Sequence, residues 1–85
     1  MTTEKEMVKI MLNRWYAYEP DSISVSERLK IAKEKSIKQC DELLEIYKHG
    51  GFEMFKYYTR VRNILVNIDS SNGGNLYTVY SQIRT

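Results

Sequence analysis

The chain is broken by strong turn signals in only three places. They are Pro20, the pair Gly50-Gly51, and the run DSSNGGN at 69–75. These breaks delimit segments of 17 to 29 residues with no internal proline or glycine. Such segments are too long for the strands of a small sandwich, which are short and closely punctuated. They suit helices, and the apolar residues within them recur at helical spacing.

The first helix is expected over about 4–18. Thr3 followed by Glu6 has capping-box spacing: the hydroxyl accepts a free amide and the carboxylate reaches back. Met7, Met11, Trp15 and Tyr18 recur on one face, widened by Val8 and Leu12. Pro20 disfavours helical geometry at Glu19 and ends the segment. Ser24 and Glu27 repeat the capping-box spacing, so a second helix is expected over about 25–48. Its apolar face is Val25, Leu29, Ala32, Ser36, Cys40, Leu43 and Tyr47, with Leu44 beside it. His49-Gly50-Gly51 is expected to end it, glycine accepting the left-handed conformation common at helix ends.

The third helix is expected over about 52–69. Met54, Tyr57, Tyr58, Val61, Ile64, Leu65 and Ile68 fall within an arc of about 120°. Lys56, Arg60, Asn63 and Asn67 fall opposite. The aromatic and basic residues that alternate in FEMFKYYTRVR are therefore separated in space, and the tyrosines read as core. Phe52, Phe55 and Val66 lie outside the main arc, Phe55 and Val66 on nearly one line. After the 69–75 turn, Leu76, Val79, Tyr80 and Ile83 suit a short helix capped by Asn75, although the β-branched and aromatic content suits a strand. A lone strand would lack a partner within the chain, so a helix is expected. The reading is a single all-α domain over 1–85, a small helical bundle.

Composition narrows the function classes. The 85 residues carry one His and one Cys, too few for a four-ligand zinc site, and no phosphate-binding glycine loop or calcium-loop spacing is present. Cys40 and His49 are nine residues apart on one helix, about 13 Å along its axis, so they cannot pair as nucleophile and base. No enzyme activity, metal or cofactor is expected. A lone cysteine makes no internal disulfide, no apolar run approaches a membrane span, and the N-terminus lacks a signal peptide's core. A soluble cytoplasmic protein is the expectation. The net charge of +2 is not concentrated. Residues 1–19 and 20–49 each balance, and the excess comes from Lys56, Arg60, Arg62 and Arg84 against Glu53 and Asp69.

Residues TEKEM, then Trp15-Tyr16, a proline and ERLKIAKE resemble the helical N-terminal segment of the maltose and galactoside acetyltransferases, over residues 3–34. The resemblance implies a helical start to the chain. That family's catalysis resides in a hexapeptide-repeat β-helix, which this sequence lacks, so no activity or site residue carries over. The abundance of Ile, Lys, Asn and Tyr suits an AT-rich genome, such as those of many phages and low-GC bacteria.

The feature that points to function is a surplus of large apolar residues off the core faces: Tyr16, Ile31, Ile37, Phe52, Phe55 and Val66. Successive helical residues point about 100° apart, so Tyr16 is expected outside if Trp15 and Tyr18 are inside. A small protein-interaction or regulatory protein is the expectation, docking on another protein or on itself through Tyr16, Phe52, Phe55, Arg62 and Val66. Small phage-encoded regulators and bacterial inhibitor or immunity proteins share this build. The alternative is a nucleic-acid-binding regulator using Lys56, Arg60 and Arg62, with a basic stripe only three residues long.

Overall fold

The computed structural model describes residues 2–20 and 22–68. The expected C-terminal helix at 75–84 and the last residue of the expected third helix, Asp69, lie outside them. The described residues form three helices in chain order, α1 (Glu4–Tyr18), α2 (Val25–Tyr47) and α3 (Phe52–Asn67). Each packs on the other two, so the bundle has one shared core.

Both anticipated hydroxyl caps form. Thr3 Oγ1 accepts from the amide of Glu6, and Ser24 Oγ from that of Glu27, each at 3.2 Å. They satisfy amides that a helix start leaves without partners, at about 1 kcal/mol each. α1 ends where Pro20 requires, with Glu19 extended at φ −83°, ψ 143°.

The centre of α2 carries small residues at four-residue intervals: Ala32, Ser36 and Cys40, all fully buried. Small side chains here let both other helices approach closely. Val8, Met11 and Leu12 of α1 and Tyr57, Val61 and Leu65 of α3 fill the resulting space, and Leu29 and Ile68 complete the core. Full burial of each Val or Leu contributes roughly 1.5–3 kcal/mol. The hydroxyl of Ser36, unusual in such a core, donates to the Ala32 carbonyl at 2.7 Å and so leaves no orphaned polar group.

Charged side chains of α2 also close the ends of its neighbours. Neither α1 nor α3 has a basic residue in its last turn. Arg28 donates to the Tyr16 carbonyl at 3.2 Å, and Lys33 donates to the Ile68 carbonyl at 2.6 Å. A cation beside a helix C-terminus binds exposed carbonyls and opposes the negative end of the dipole. At the other end, the Tyr57 hydroxyl donates to the Thr2 carbonyl at 2.6 Å and ties α3 to the start of α1. These contacts place α1 and α3 side by side and both antiparallel to α2.

Three expectations need correction. The buried face of α1 is rotated by roughly 60° from the Met7–Met11–Trp15–Tyr18 line toward Val8 and Leu12. Tyr18 is therefore 73% exposed, while Tyr16 is half-buried against the core, with the Arg28 guanidinium 4.0 Å from its ring centroid. The cause is the return of α2 alongside the last turn of α1, which brings Arg28 over Tyr16. Tyr18 only leans on Trp15, ring centroids 5.8 Å apart. Second, Val25 is 40% exposed, since the first residue of α2 lies beyond its neighbours, and Ile37 packs against the core instead of outside it.

Third, the glycine pair does not close α2 by a left-handed residue. Lys48 caps the helix in right-handed geometry, Gly51 has φ −155°, and Gly50 likewise has no positive φ. The Tyr47 carbonyl instead accepts the amides of both Gly50 and Gly51. Gly51 is needed for space: a Cβ there would lie 2.6 Å from Cδ1 of Tyr47 and 3.3 Å from its Cβ and Cγ. That ring stacks on Tyr58, centroids 5.9 Å apart and planes 3° from parallel, so it has little freedom to retreat. At Gly50 an added methyl group would meet nothing within 4 Å. Gly51→Ala should therefore lower unfolding free energy by about 1–3 kcal/mol. Gly50→Ala should be neutral or stabilise by up to about 1 kcal/mol. Urea denaturation of the two variants checks this, and equal effects would refute the steric role of Gly51.

Candidate functional site

α3 turns its tyrosines inward and its phenylalanines outward. Tyr57 is buried and Tyr58 half-buried. Their rings meet edge to face at 5.0 Å, which extends the Tyr47–Tyr58 stack into the bundle. Burial raises the phenol pKa of both. Phe52, the first residue of α3, is 70% exposed. Phe55 is half-buried one turn on.

Among the described residues these two rings border two grooves at the α2–α3 turn. The larger, about 550 Å³, is lined by Tyr47 to Phe52 and by Phe55. The smaller, about 280 Å³, is lined by Phe52, Phe55, Lys56, Thr59 and Arg60. The local sequence explains the shape. Two glycines remove side chains from the turn, and a phenylalanine immediately follows them on a helix without a side-chain cap. The Lys56 ammonium lies 5.1 Å from the Phe52 ring centroid, a cation–π arrangement between positions four apart.

The five expected interface residues do not form one patch. Phe52 and Phe55 come together. Val66, 46% exposed, lies along the same side of α3 but about 16 Å beyond Phe55. Tyr16 is covered by Arg28. Arg62 is ion-paired with Asp41 of α2, Nε to Oδ1 at 2.5 Å, so it joins two helices. Ile46, 66% exposed, was absent from the expected set because it sits among polar positions of α2 and breaks no pattern.

The expected basic stripe is also partly engaged. Arg60 lies 3.7 Å from a carboxylate oxygen of Glu4, and Arg62 is held by Asp41. A third groove, about 380 Å³, is lined by Trp15, Lys35, Lys38, Gln39 and Glu42. The Trp15 indole donates to Gln39 Oε1 at 3.0 Å there, and Lys35 pairs with Glu19 at 2.8 Å. Two of its polar groups, Gln39 and Lys35, thus already tie α2 to α1 and the residue that follows it.

Among the described residues no group of three or more His, Cys, Asp or Glu side chains is placed to hold a metal ion. No described helix is long and apolar enough to cross a membrane. Cys40 is fully buried, its Sγ 3.9 Å from the Met11 sulfur. Burial, with the Asp41 carboxylate next, pushes its thiol up to about 11. Comparison of the chain with protein-family models, curated proteins and solved structures found no match. The resemblance of residues 3–34 to the acetyltransferase segment thus stands on those residues alone. Fold and surface together define a small all-α bundle with an exposed aromatic turn.

The buried thiol makes a pH prediction. Its folded pKa lies above its ordinary value of 9.0, so the folded state keeps a proton that the unfolded state loses. This contribution is fully present below pH 9 and is lost as pH rises toward 11, at most about 3 kcal/mol. The stability difference between the wild type and Cys40→Ala should shrink between pH 8 and pH 10.5, as measured by urea denaturation. A constant difference would refute the assignment.

Proposed function

We propose that this chain is a small helical interaction protein. It docks the aromatic surface of the α2–α3 turn onto another protein or onto a second copy of itself. The observation that carries this reading is Phe52: a large aromatic side chain, 70% exposed, beside Phe55 and between two grooves. Exposed aromatics at the centre of a concave surface are the usual anchors of protein interfaces. A regulatory role of inhibitor or immunity type fits a chain that works by occupying a partner's surface. No catalytic step belongs to this reading. A reducing cytoplasmic setting does, since Cys40 is a free thiol.

Phe52→Asp tests it with little risk to the fold. An acidic residue in the first turn of a helix complements the dipole, and α3 lacks a side-chain cap. Folded stability should stay within about 0.5 kcal/mol of wild type. Assembly measured by light scattering, or capture of a partner in a pull-down, should be lost. A variant that keeps the wild-type mass and still captures the wild-type partner would sink the assignment.

The nucleic-acid reading rests on Lys56, Arg60 and Arg62. The pairing of two of these with carboxylates favours the protein-docking reading over it. Binding to DNA or RNA should accordingly be weak and nearly flat with salt. A steep loss of affinity between low and high salt would revive the nucleic-acid reading.

A further inference from the structure

The chain leaves α3 from a fixed point. The side chain of Ile68 is buried in the core, and its carbonyl accepts from the Lys33 ammonium at 2.6 Å. Two residues before it, Val66 is 46% exposed on the outward side of α3, with Phe55 and Thr59 within about 40° of one another and of Val66 round the helix. Tyr57 and Arg62 tie the other sides of α3 to the start of α1 and to Asp41 of α2. Charge is almost absent around the exit point. From Asn63 to Ile83, Asp69 is the one charged residue, in a chain that is 28% charged. Beyond the 69–75 turn, Leu76, Val79, Tyr80 and Ile83 share one side at helical spacing. Other exposed apolar residues stand among charges: Ile10 lies between Glu6 and Arg14, four residues to either side, and Ile46 lies four residues after Glu42.

We propose that residues 76–83 of this same chain return along the outward side of α3, cover Val66 and Thr59, and stop short of Phe52. The tether selects this occupant. A segment joined to the surface it covers meets it at high effective concentration and escapes most of the entropy lost when separate molecules associate. The length of chain fits. The 69–75 connection extends over at most about 23 Å, enough to cross the roughly 8–10 Å between packed helix axes. Helices joined by so short a connection are usually antiparallel neighbours. At about 1.5 Å per residue, Leu76 to Ile83 spans about 10 Å, the same as Val66 to Thr59, while Phe52 lies about 21 Å from Val66. The segment therefore ends at Thr59, on the margin of the smaller groove, and leaves Phe52 open. A helix with two apolar sides thereby gains two sets of neighbours. The inference stands on Val66 and the uncharged segment, independently of the docking role proposed above, and it narrows the surface open to a partner to the Phe52 end of α3.

The test is NMR on the full chain with labelled methyl groups. Nuclear Overhauser contacts should join the Val66 methyls to Leu76, Val79 or Ile83, within one molecule. Limited chymotrypsin digestion supplies a second readout. Cleavage after Tyr77 and Tyr80 should be about tenfold faster in Val66→Asp, confirmed as folded by circular dichroism, than in the wild type, because proteolysis follows the population of the open form. Phe52→Asp should leave that cleavage rate unchanged. Equal rates in Val66→Asp and wild type would overturn the inference, as would contacts from residues 76–83 to Ile10 or Ile46 in place of Val66. Contacts seen only between labelled and unlabelled molecules in a mixed sample would assign the surface to a second copy and overturn it too. Contacts from residues 76–83 to Phe52 would overturn both this inference and the open docking surface. Loss of partner capture in Phe52→Asp with the Val66 contacts intact would support both.

Discussion

The small residues at the centre of α2 set the geometry of the bundle. Ala32, Ser36 and Cys40 stand four residues apart and are fully buried. Because they project little, the helices on either side can both bring branched and aromatic side chains to the same axis. A larger residue at any of these positions would have to displace buried side chains of the shared core, and close-packed interiors tolerate such intrusion poorly. The hydroxyl of Ser36 is compatible with this place only because it folds back onto its own helix.

Given that close approach, α2 can serve both neighbours at once. Arg28 reaches the end of α1 and Lys33 the end of α3, each supplying the cation that the receiving helix lacks. A hydrogen bond from a charged group is worth about 1.5–3 kcal/mol. These two also fix how far each helix slides along α2. Tyr57 does the same at the opposite end by holding the Thr2 carbonyl. Ion pairs on the surface, such as Lys48 with Glu45, add little by comparison.

The same arrangement leaves one side of α3 without a neighbour among the described residues. Three helices sharing one axis bury one stripe each, so apolar residues outside the stripes remain at the surface. Phe52 and Val66 are exposed on α3 with Phe55 half-buried between them, and Ile46 is exposed on α2. The two glycines before Phe52 deepen the surface there into grooves. An exposed aromatic beside a concavity has a different meaning from one on a convex helix, because a partner's side chain can be enclosed on several sides.

The sequence by itself determined the three helices, the hydroxyl caps of the first two, the stop at Pro20 and the inward side of α3. These follow from local rules: spacing of apolar residues, side chains that accept a free amide, and the steric effect of proline. It also separated Phe52 and Phe55 from the tyrosines that follow them, Tyr57 and Tyr58. Only the tertiary structure decided which of Tyr16 and Tyr18 is covered. The two lie at equal angles on either side of Val8, so the helical period does not choose between them. The position of Arg28 on a different helix does. The roles of Arg62 and Gly51 were hidden for the same reason: one meets Asp41 and the other the Tyr47 ring, contacts made only once separate segments of chain have packed. Periodicity says which side of a helix is apolar, while the direction from which a neighbour arrives is a property of the whole bundle.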